Sequence, residues 1–559
     1  MFLHQQINQL LHHELPRSLE IFAPEMMLCV AVLLLLLGRM LGWQRRVPMH
    51  VIALLGALFV FLGVFAQFLF LRGGTAFGIP ALLTNLWQLT PAGAGTPGVY
   101  LSGLLIHDQF AVLLRLGLSL FLVLMVVLTM LSGIPDHDDA QDFYALMFGA
   151  TLGMMLAVGV SHLLMFFLAV EMMSVPSYVL VGFQKGRRKA GEAALKYVMY
   201  GAAAAGVMLY GISLVAGLLG TFELPLLAQR VTQILPQSGL SQSSAISMTL
   251  LLGILLILAG LCFKLALVPF HFWCPDAFEG ASAEVAAFLS IASKVASFAL
   301  LVRLAVAFAG TSTALHQLCL ILGLLLGVIA IVSTTYGNLA AYLQTNLKRL
   351  LAYSTIAQAG YMVMAVSAML VLLSTPSGTV PYPAQSATRC VEGLIYYLAV
   401  YLFMNLAAFA CVALLRNEIF SEEIDAYRGL FTGNSTVKCL CLCLTGSFFS
   451  LVGIPPMGGA FAKLLVFISV YQAGSVHWFL WVVLVAGAVN SVISLFYYMR
   501  VLKAIFLSDR TEGTPKLRMS PLLGGFVAII TVPIVALGAS PLMADLSETA
   551  LRAAWTLFS

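Results

Sequence analysis

Charge is what this chain has least of. Of its 559 residues only 9% are Asp, Glu, Lys or Arg, whereas 61% are hydrophobic, and the mean hydropathy is +1.00. A soluble domain carries about one-quarter charged residues, so the composition is that of a polytopic helical membrane protein. Alternation of polar and apolar residues is also lacking. The segments are continuously apolar, which excludes an outer-membrane barrel. A disulfide framework is missing despite nine cysteines. Cys439, Cys441 and Cys443 alternate with leucine in one apolar run, and positions i, i+2 and i+4 of a helix do not converge on a metal. They read as small packing residues, as does Cys274 in His271-Phe272-Trp273-Cys274-Pro275-Asp276. No nucleotide or metal motif occurs in the loops. There is no cleavable signal, because the first apolar run, Met26 to Leu37, is followed by Arg39, Arg45 and Arg46.

What is present is a series of long apolar runs. They predict about fourteen spans, near 22–41, 51–71, 109–132, 143–160, 162–183, 191–219, 247–268, 282–308, 313–336, 349–373, 391–415, 438–473 (broken), 477–507 and 521–543. With both termini outside, one face receives most loop cations, among them Arg39, Arg45, Arg46, Lys185, Arg187, Arg188, Lys189, Lys348 and Arg349. The other face receives only Arg17, Arg72, Arg230, Arg389 and Arg552. That asymmetry sets the orientation and accounts for the net charge of +5 without a nucleic-acid partner. The longest loops, 73–107, 220–246 and 374–390, are rich in Gly, Pro, Ser and Thr and fall outside. None is large enough to fold as a soluble domain.

The few charges inside the runs carry the functional reading. Glu171, Lys196, Lys264, Lys294 and Lys463 all sit in apolar segments. A charge at a helix centre costs about 2.5–3.5 kcal/mol on insertion scales, and intramembrane ionisable groups are functional by default. Lys264 ends a run that meets Pro269; Lys463 follows Gly453-Ile454-Pro455-Pro456-Met457-Gly458-Gly459. Pro and Gly at membrane depth free backbone groups, and interrupted segments in corresponding positions point to a transporter of inverted repeats. If spans four to eight repeat as nine to thirteen, the broken seventh and twelfth are counterparts, and the fifth, with Glu171, matches the tenth. The chain then divides into 1–140, a first half at 141–310, a second half at 311–508, and 509–559.

Each charge also has a plainer reading. Glu171 could be a structural salt-bridge partner of Lys196, and Lys196, a turn inside its span, could snorkel. Arg115 and Arg303, nearer span ends, read as anchors or as partners of structural charges. His162 and His271 could relay protons, but both lie near predicted interfaces. Desolvation makes an ammonium release its proton more readily and a nearby carboxylate reverses this, so a chain of such sites can load and release protons.

At this point the residues resemble a family. Phe263-Lys264-Leu265-Ala266-Leu267-Val268-Pro269-Phe270-His271-Phe272-Trp273, then Pro275-Asp276, Glu279-Gly280-Ala281 and Ser293-Lys294, are similar to the subunit-N (subunit-2) antiporter-like membrane subunits of respiratory complex I, NADH:quinone oxidoreductase. So are Ala194-Leu195-Lys196-Tyr197, Gln344 to Ser354 with Gly360-Tyr361, and Gly453-Ile454-Pro455-Pro456 with Lys463; together they cover roughly residues 105–505. The resemblance implies a fourteen-helix fold in the bacterial inner membrane. It implies that Glu171, Lys196, Lys264, Lys294 and Lys463 occupy proton-path positions: the Glu171–Lys196 pair modulates Lys264, Lys294 connects the halves, and Lys463 is terminal. It implies no cofactor in this chain, with NADH, FMN, iron–sulfur clusters and quinone held elsewhere in the complex, and partners among the other membrane-arm subunits and the lipid bilayer. A lysine rather than a histidine in span eight favours this branch over its sister subunits, and there is no room after Met543 for the largest sister's lateral helix. Glu284 stands where the family often has proline, about 15 Å of helical rise from Lys294 and so not its direct partner. A subunit of a multi-subunit cation/proton antiporter or membrane-bound hydrogenase shares the same fold and is the alternative.

Overall fold

The computed structural model describes residues 15–42, 48–71, 98–135, 139–235, 244–376, 383–509, 517, 519–539 and 541–558. Helix is the dominant element, because in hydrocarbon each backbone N–H and C=O must be satisfied within its own segment. A short helix α1 (Leu15–Ile21) precedes α2 (Ala23–Met40) and α3 (Met49–Leu71). A β-hairpin, β1 (Gly98–Tyr100) and β2 (Leu105–His107), then leads into α4 (Gln109–Ser132), whose N-terminus Asp108 caps by accepting from Ala111 N at 2.7 Å. The first set continues with α5 (Ala140–Val158), α6 (Leu163–Val181), α7 (Arg188–Leu219), the short α8 (Leu224–Ile234), α9 (Ser244–Leu265), the short α10 (Trp273–Gly280) and α11 (Ala283–Val306). The second set comprises α12 (Thr313–Ala341), α13 (Leu347–Leu373), α14 (Pro383–Ile419), α15 (Ser435–Val452), α16 (Gly458–Gly474) and α17 (Phe479–Leu507). The chain closes with α18 (Pro521–Ala536) and α19 (Leu542–Trp555).

Among the described residues, 13 helices are long and apolar enough to cross a membrane. They match the first thirteen expected spans. The broken twelfth appears as two helices, α15 and α16, and the fourteenth as the 16-residue α18. Buried small residues make α11 the central pillar: Ala283, Ala286, Ala287, Ala292, Ala296 and Ala299 let neighbouring helices approach, and the helix is buried along its length. α13 and α14 pack beside it and are almost as enclosed.

Several elements escape a reading based on span-length apolar runs. The hairpin and α8 occupy stretches expected to be loops. In α8, Leu224, Leu227 and Val231 form one apolar face and Pro225 starts the helix. The last span stops at Ala536 rather than 543, and α19 is a separate amphipathic helix that lies against α14 and α4 through Ala550, Ala553 and Ala554. Most of loop 73–107, along with Arg45, Arg46, Arg72, Arg510, Lys516 and Arg518, lies outside the described residues.

Both interrupted helices end in the same way. At the end of α9, Ala266 takes a left-handed conformation (φ 56°), Ala266 N donates to Phe263 O at 3.0 Å, and Leu267 N to Cys262 O at 2.8 Å. At the end of α15, Gly453 (φ 91°) donates to Ser450 O at 3.0 Å, and Ile454 N to Phe449 O at 3.0 Å. Each is a Schellman termination, and each meets a proline three residues after the left-handed position, Pro269 and Pro456.

A second similarity is in how loops tie to helix starts. Leu163 N donates to Phe222 O and Leu224 N to Ser161 O, at 2.7 and 2.9 Å. Leu347 N donates to Glu422 O and Ile424 N to Thr345 O, both at 2.8 Å. Counted from these ties, Glu171 and Thr355 each stand eight residues into their helix.

The tight point of the second break is Gly459, where an added Cβ would sit 1.9 Å from Ser450 O. Gly459→Ala therefore forces α16 away from α15, and we expect the variant chain to be lost from detergent-extracted complexes on native gels. Ala266→Gly removes a Cβ from a left-handed position and is expected to stabilise by about 0.5–1 kcal/mol, read as a raised aggregation temperature of the solubilised protein.

Candidate functional site

Lys264 is the penultimate residue of α9 and is buried. No carboxylate pairs with it among the described residues. Its Nζ lies 5.4 Å from the Tyr178 ring centroid and 5.6 Å from that of Tyr197, an arrangement in which the ring quadrupoles attract the cation. The cage is held from outside, for Tyr197 stacks on Trp273 at 4.2 Å and Trp273 Nε1 donates to Phe263 O at 2.8 Å. Glu171, on α6, is the carboxylate in electrostatic reach of Lys264, and its Oε1 is buried with no hydrogen-bond partner.

The other two central lysines cap the broken helices. Lys294 Nζ donates to Leu265 O at 2.7 Å, the last carbonyl of α9. Lys463 Nζ donates to Val452 O at 2.9 Å, the last carbonyl of α15, and to Ser491 Oγ at 3.0 Å, while lying 4.4 Å from the Tyr361 ring. Both are buried and neither has an ion-pair partner among the described residues. Between them runs a band of polar side chains. Ser290, one turn before Lys294, contacts Thr355 at 3.0 Å and Tyr401 at 2.9 Å; Asn405 donates to Tyr401 at 3.0 Å. Further along α13, Gln358 accepts from Tyr397 and donates to Leu451 O at 2.9 Å, one residue from the carbonyl that Lys463 caps. These hydroxyls and amides were not singled out from sequence; their one-face spacing on α13 (Thr355, Gln358, Tyr361) is the signal that was there.

Lys196 lies elsewhere. Its ammonium pairs with Glu192 at 2.8 Å and Asp276 at 2.9 Å, and its side chain is 42% exposed. The expected Glu171–Lys196 ion pair is therefore not made in this structure. Lys196 snorkels towards the basic face, where carboxylates from its own helix and from α10 outcompete a residue on α6. Asp276 also takes Arg349 at 2.7 Å, and Glu279 takes Arg349 at 2.8 Å and Lys189 at 3.0 Å.

Most of the remaining buried charges lie beside a group of opposite charge. Arg115 lies 3.0 Å from Glu25, and Arg303 lies 2.9 Å from Asp108 while donating to Val158 O at 2.6 Å. This is the structural role expected of both arginines, though Glu25 and Asp108 were not foreseen as their partners. Lys348, expected in a loop, is fully buried, paired with Glu422 at 3.0 Å and donating to Ala281 O; Arg416 shares Glu422 at 3.1 Å. Glu284 is buried near this group with Oε2 unpartnered. Lys294 makes its bond to a backbone carbonyl, not to Glu284. His162 caps α6, its Nδ1 accepting from Leu164 N at 3.2 Å, and partial burial holds its pKa below the usual imidazole value, so it serves as a neutral acceptor. His271 packs on Phe272 and Tyr336. Cys439, Cys441 and Cys443 are free thiols along α15.

The arrangement thus separates two kinds of charge. Salt-bridged groups tie helices together, whereas Lys264, Lys294 and Lys463 sit on rings, carbonyls and hydroxyls that neither neutralise them nor fix their protonation.

Comparison with known proteins agrees with this architecture. Residues 160–494 match the family model described as NADH:quinone oxidoreductase/Mrp antiporter, TM. The chain is 35% identical to NADH-quinone oxidoreductase subunit N 2 of Sorangium cellulosum over 93% of its length and 94% of the relative's, and 37% identical to subunit N of Anaeromyxobacter sp. over 77% and 82%. Among solved structures, a chain of respiratory complex I from Thermus thermophilus superposes with a TM-score of 0.65 at 29% identity, covering 92% of this chain and 96% of that one. A chain of the Mrp complex from Dietzia sp. gives 0.73 at 19% identity over 97% and 98%, a likeness of fold.

Lys463→Met and Arg115→Met should behave oppositely. The first removes an unpaired buried charge while Ser491 Oγ still caps Val452 O, and is expected to leave the chain's level in membranes unchanged. The second strands Glu25 in the interior, costs about 3–5 kcal/mol and depletes the chain. Quantitative immunoblots of washed membranes read both.

Proposed function

Because this chain belongs to the family of NADH:quinone oxidoreductase and Mrp antiporter membrane subunits, we propose that it is a subunit-N-type proton-translocating subunit of a bacterial NADH:quinone oxidoreductase. The observation that carries the reading is the set of three buried lysines without carboxylate partners, strung along a band of hydroxyls from α9 to α16. Glu171 sets the charge felt by Lys264, Lys264 exchanges protons with Lys294 across the break in α9, and Lys463 is the terminal site. Lys196 tunes the basic-face end. Redox chemistry belongs to partner subunits that hold NADH, FMN, iron–sulfur clusters and quinone; this chain contributes the proton path and docks on other membrane-arm subunits.

The recurring ties and helix ends support two halves, 141–310 and 311–508, related as inverted repeats. The basic loops favour a bacterial inner membrane with the basic face inside and both termini outside. The Mrp likeness keeps an ion-gradient-driven antiporter as the competing reading, since the fold is common to both. Identities of 35–37% to subunits N across most of the chain favour quinone-linked pumping.

Affinity-tagging the chain and identifying its co-purifying partners decides the energy source: flavin and iron–sulfur subunits with NADH:quinone activity are expected, and small antiporter subunits without redox centres would overturn it. In proteoliposomes of the assembled complex, Lys264→Ala and Lys463→Ala are each expected to lower protons moved per NADH oxidised by roughly two-fold or more. Wild-type coupling in both would leave the chain as a scaffold.

A further inference from the structure

The last apolar helix stops short. α18 has 16 residues, about 24 Å of helical rise, against a hydrocarbon core about 30 Å thick, so its final carbonyls are freed inside the slab. Tyr396 of α14 meets one of them, its hydroxyl donating to Leu537 O. The next residue, Gly538, is pressed on the second helix break, where an added Cβ would collide with Pro456 O. Pro456 leads into α16, which carries Lys463. α18 therefore ends at the depth of that break.

α19 follows and rests on the rim opposite the basic loops. Its Arg552 and Ala553 lie beside Leu71 and Gln109, the last residue of α3 and the first of α4. Ser547 of α19 donates through its hydroxyl to Glu392 Oε1 on α14, one turn before Tyr396. Glu392 is half-buried, and no ion pair holds it among the described residues. Arg389, three residues earlier, is within electrostatic reach without pairing. Two further observations place this acid. Arg416, at the basic end of α14, is 24 residues away, about 36 Å of helical rise. At the neighbouring Gly393, an added Cβ would lie 3.3 Å from the backbone of Leu465, two residues past Lys463. Glu392 thus stands between Lys463 and the far rim, and it belongs with the unpaired charges.

We propose that Glu392 is the proton-release residue beyond Lys463, passing protons to the face opposite the basic loops under the cover of α19. This rests on the proton-path reading above and extends it to the exit. The Lys463 ammonium gives its proton to hydrating water and is left a neutral amine. The Glu392 carboxylate takes that proton and becomes a neutral acid. It then loses the proton to water at the rim and returns to carboxylate, to which Ser547 donates again. A hydrogen bond donated to the carboxylate favours the charged form, so Ser547 biases the site towards release. Tyr396 and Gly538 are positioning residues: they fasten α14 and the end of α18 to the break, so packing fixes how far Glu392 stands from Lys463.

The test uses the whole complex in proteoliposomes, with NADH added outside so that the far rim of the working complexes faces the lumen. Protons moved per NADH are measured at several luminal pH values with the bath pH fixed. Around Glu392 the charged or titratable groups are Arg389 and Tyr396 on α14, Asp545 and Glu548 on α19, and Lys463 on α16. α18 has none, and Arg115 on α4 and Arg303 on α11 are taken by Glu25 and Asp108. In the wild type, lowering luminal pH is expected to cut the ratio, because the release acid then stays protonated. Glu392→Gln is expected to keep NADH oxidation, to pump roughly two-fold or more fewer protons per NADH, and to lose the luminal response. Glu392→Asp, which keeps the acid, is expected to retain both. Ser547→Ala removes a bond that favours the carboxylate, so its ratio is expected to fall at a higher luminal pH than the wild type's. A wild-type luminal response in Glu392→Gln, whatever its ratio, overturns the proposal and leaves Glu392 as an anchor for α19. Should Glu392→Gln not assemble, Ser547→Ala decides, because an unshifted response there overturns it. Reduced pumping in Lys264→Ala and Lys463→Ala alongside a normal Glu392→Gln removes only this inference. Normal pumping in all three removes the proton-path reading itself.

Discussion

A carbonyl freed at membrane depth must find a donor, and two such carbonyls organise this protein. Where α9 and α15 stop inside the apolar slab, their last C=O groups need a donor, because a buried unmet polar group costs several kcal/mol. The chain supplies Lys294 to Leu265 O and Lys463, with Ser491, to Val452 O. The break and the buried lysine therefore suit each other, with Ser491 a second donor at Val452 O. The ammonium cannot be buried without an acceptor, and the helix cannot end there without a donor. A carbonyl accepts a hydrogen bond without carrying a compensating charge, so the lysine remains able to gain or lose its proton.

The contrast with the paired charges follows from the same physics. Arg115 with Glu25, Arg303 with Asp108, and Lys348 and Arg416 with Glu422 are buried groups of opposite charge in direct contact. Such pairs fix helices relative to one another and are poor proton carriers, because losing the proton would strand the partner. Glu171 and Lys264 fall between these cases, within electrostatic reach but without an ion pair, so each biases the other without locking it. Lys264 and Lys463 stand beside the two helix breaks and Lys294 midway along α11.

How far this was legible in sequence depends on the range of the interaction. Lys264, Lys294 and Lys463 stand out because a cation within a long apolar run is conspicuous by itself, and Pro269 and Pro455-Pro456 advertise the breaks. Partners are a different matter. Glu25 with Arg115 and Arg303 with Asp108 join residues far apart in the chain, and nothing local marks them. Lys196 shows the limit most clearly: its place in the span suggested Glu171, but its side chain turns to Glu192, one turn away, and to Asp276 across the gap between α7 and α10. α19 and α8 were missed because amphipathic helices at an interface lack a span-length apolar run.

Hydropathy, the run lengths, the proline and glycine breaks and the isolated lysines were determined by the sequence by itself, because each is a property of a stretch no longer than one helix. With them came membrane class, span positions and the candidate proton carriers. Tertiary structure alone decided which carbonyl each lysine meets and which charges are neutralised. Those depend on side chains brought together across helices, where a few ångströms separate an ion pair that fastens the fold from a lone charge that can move a proton.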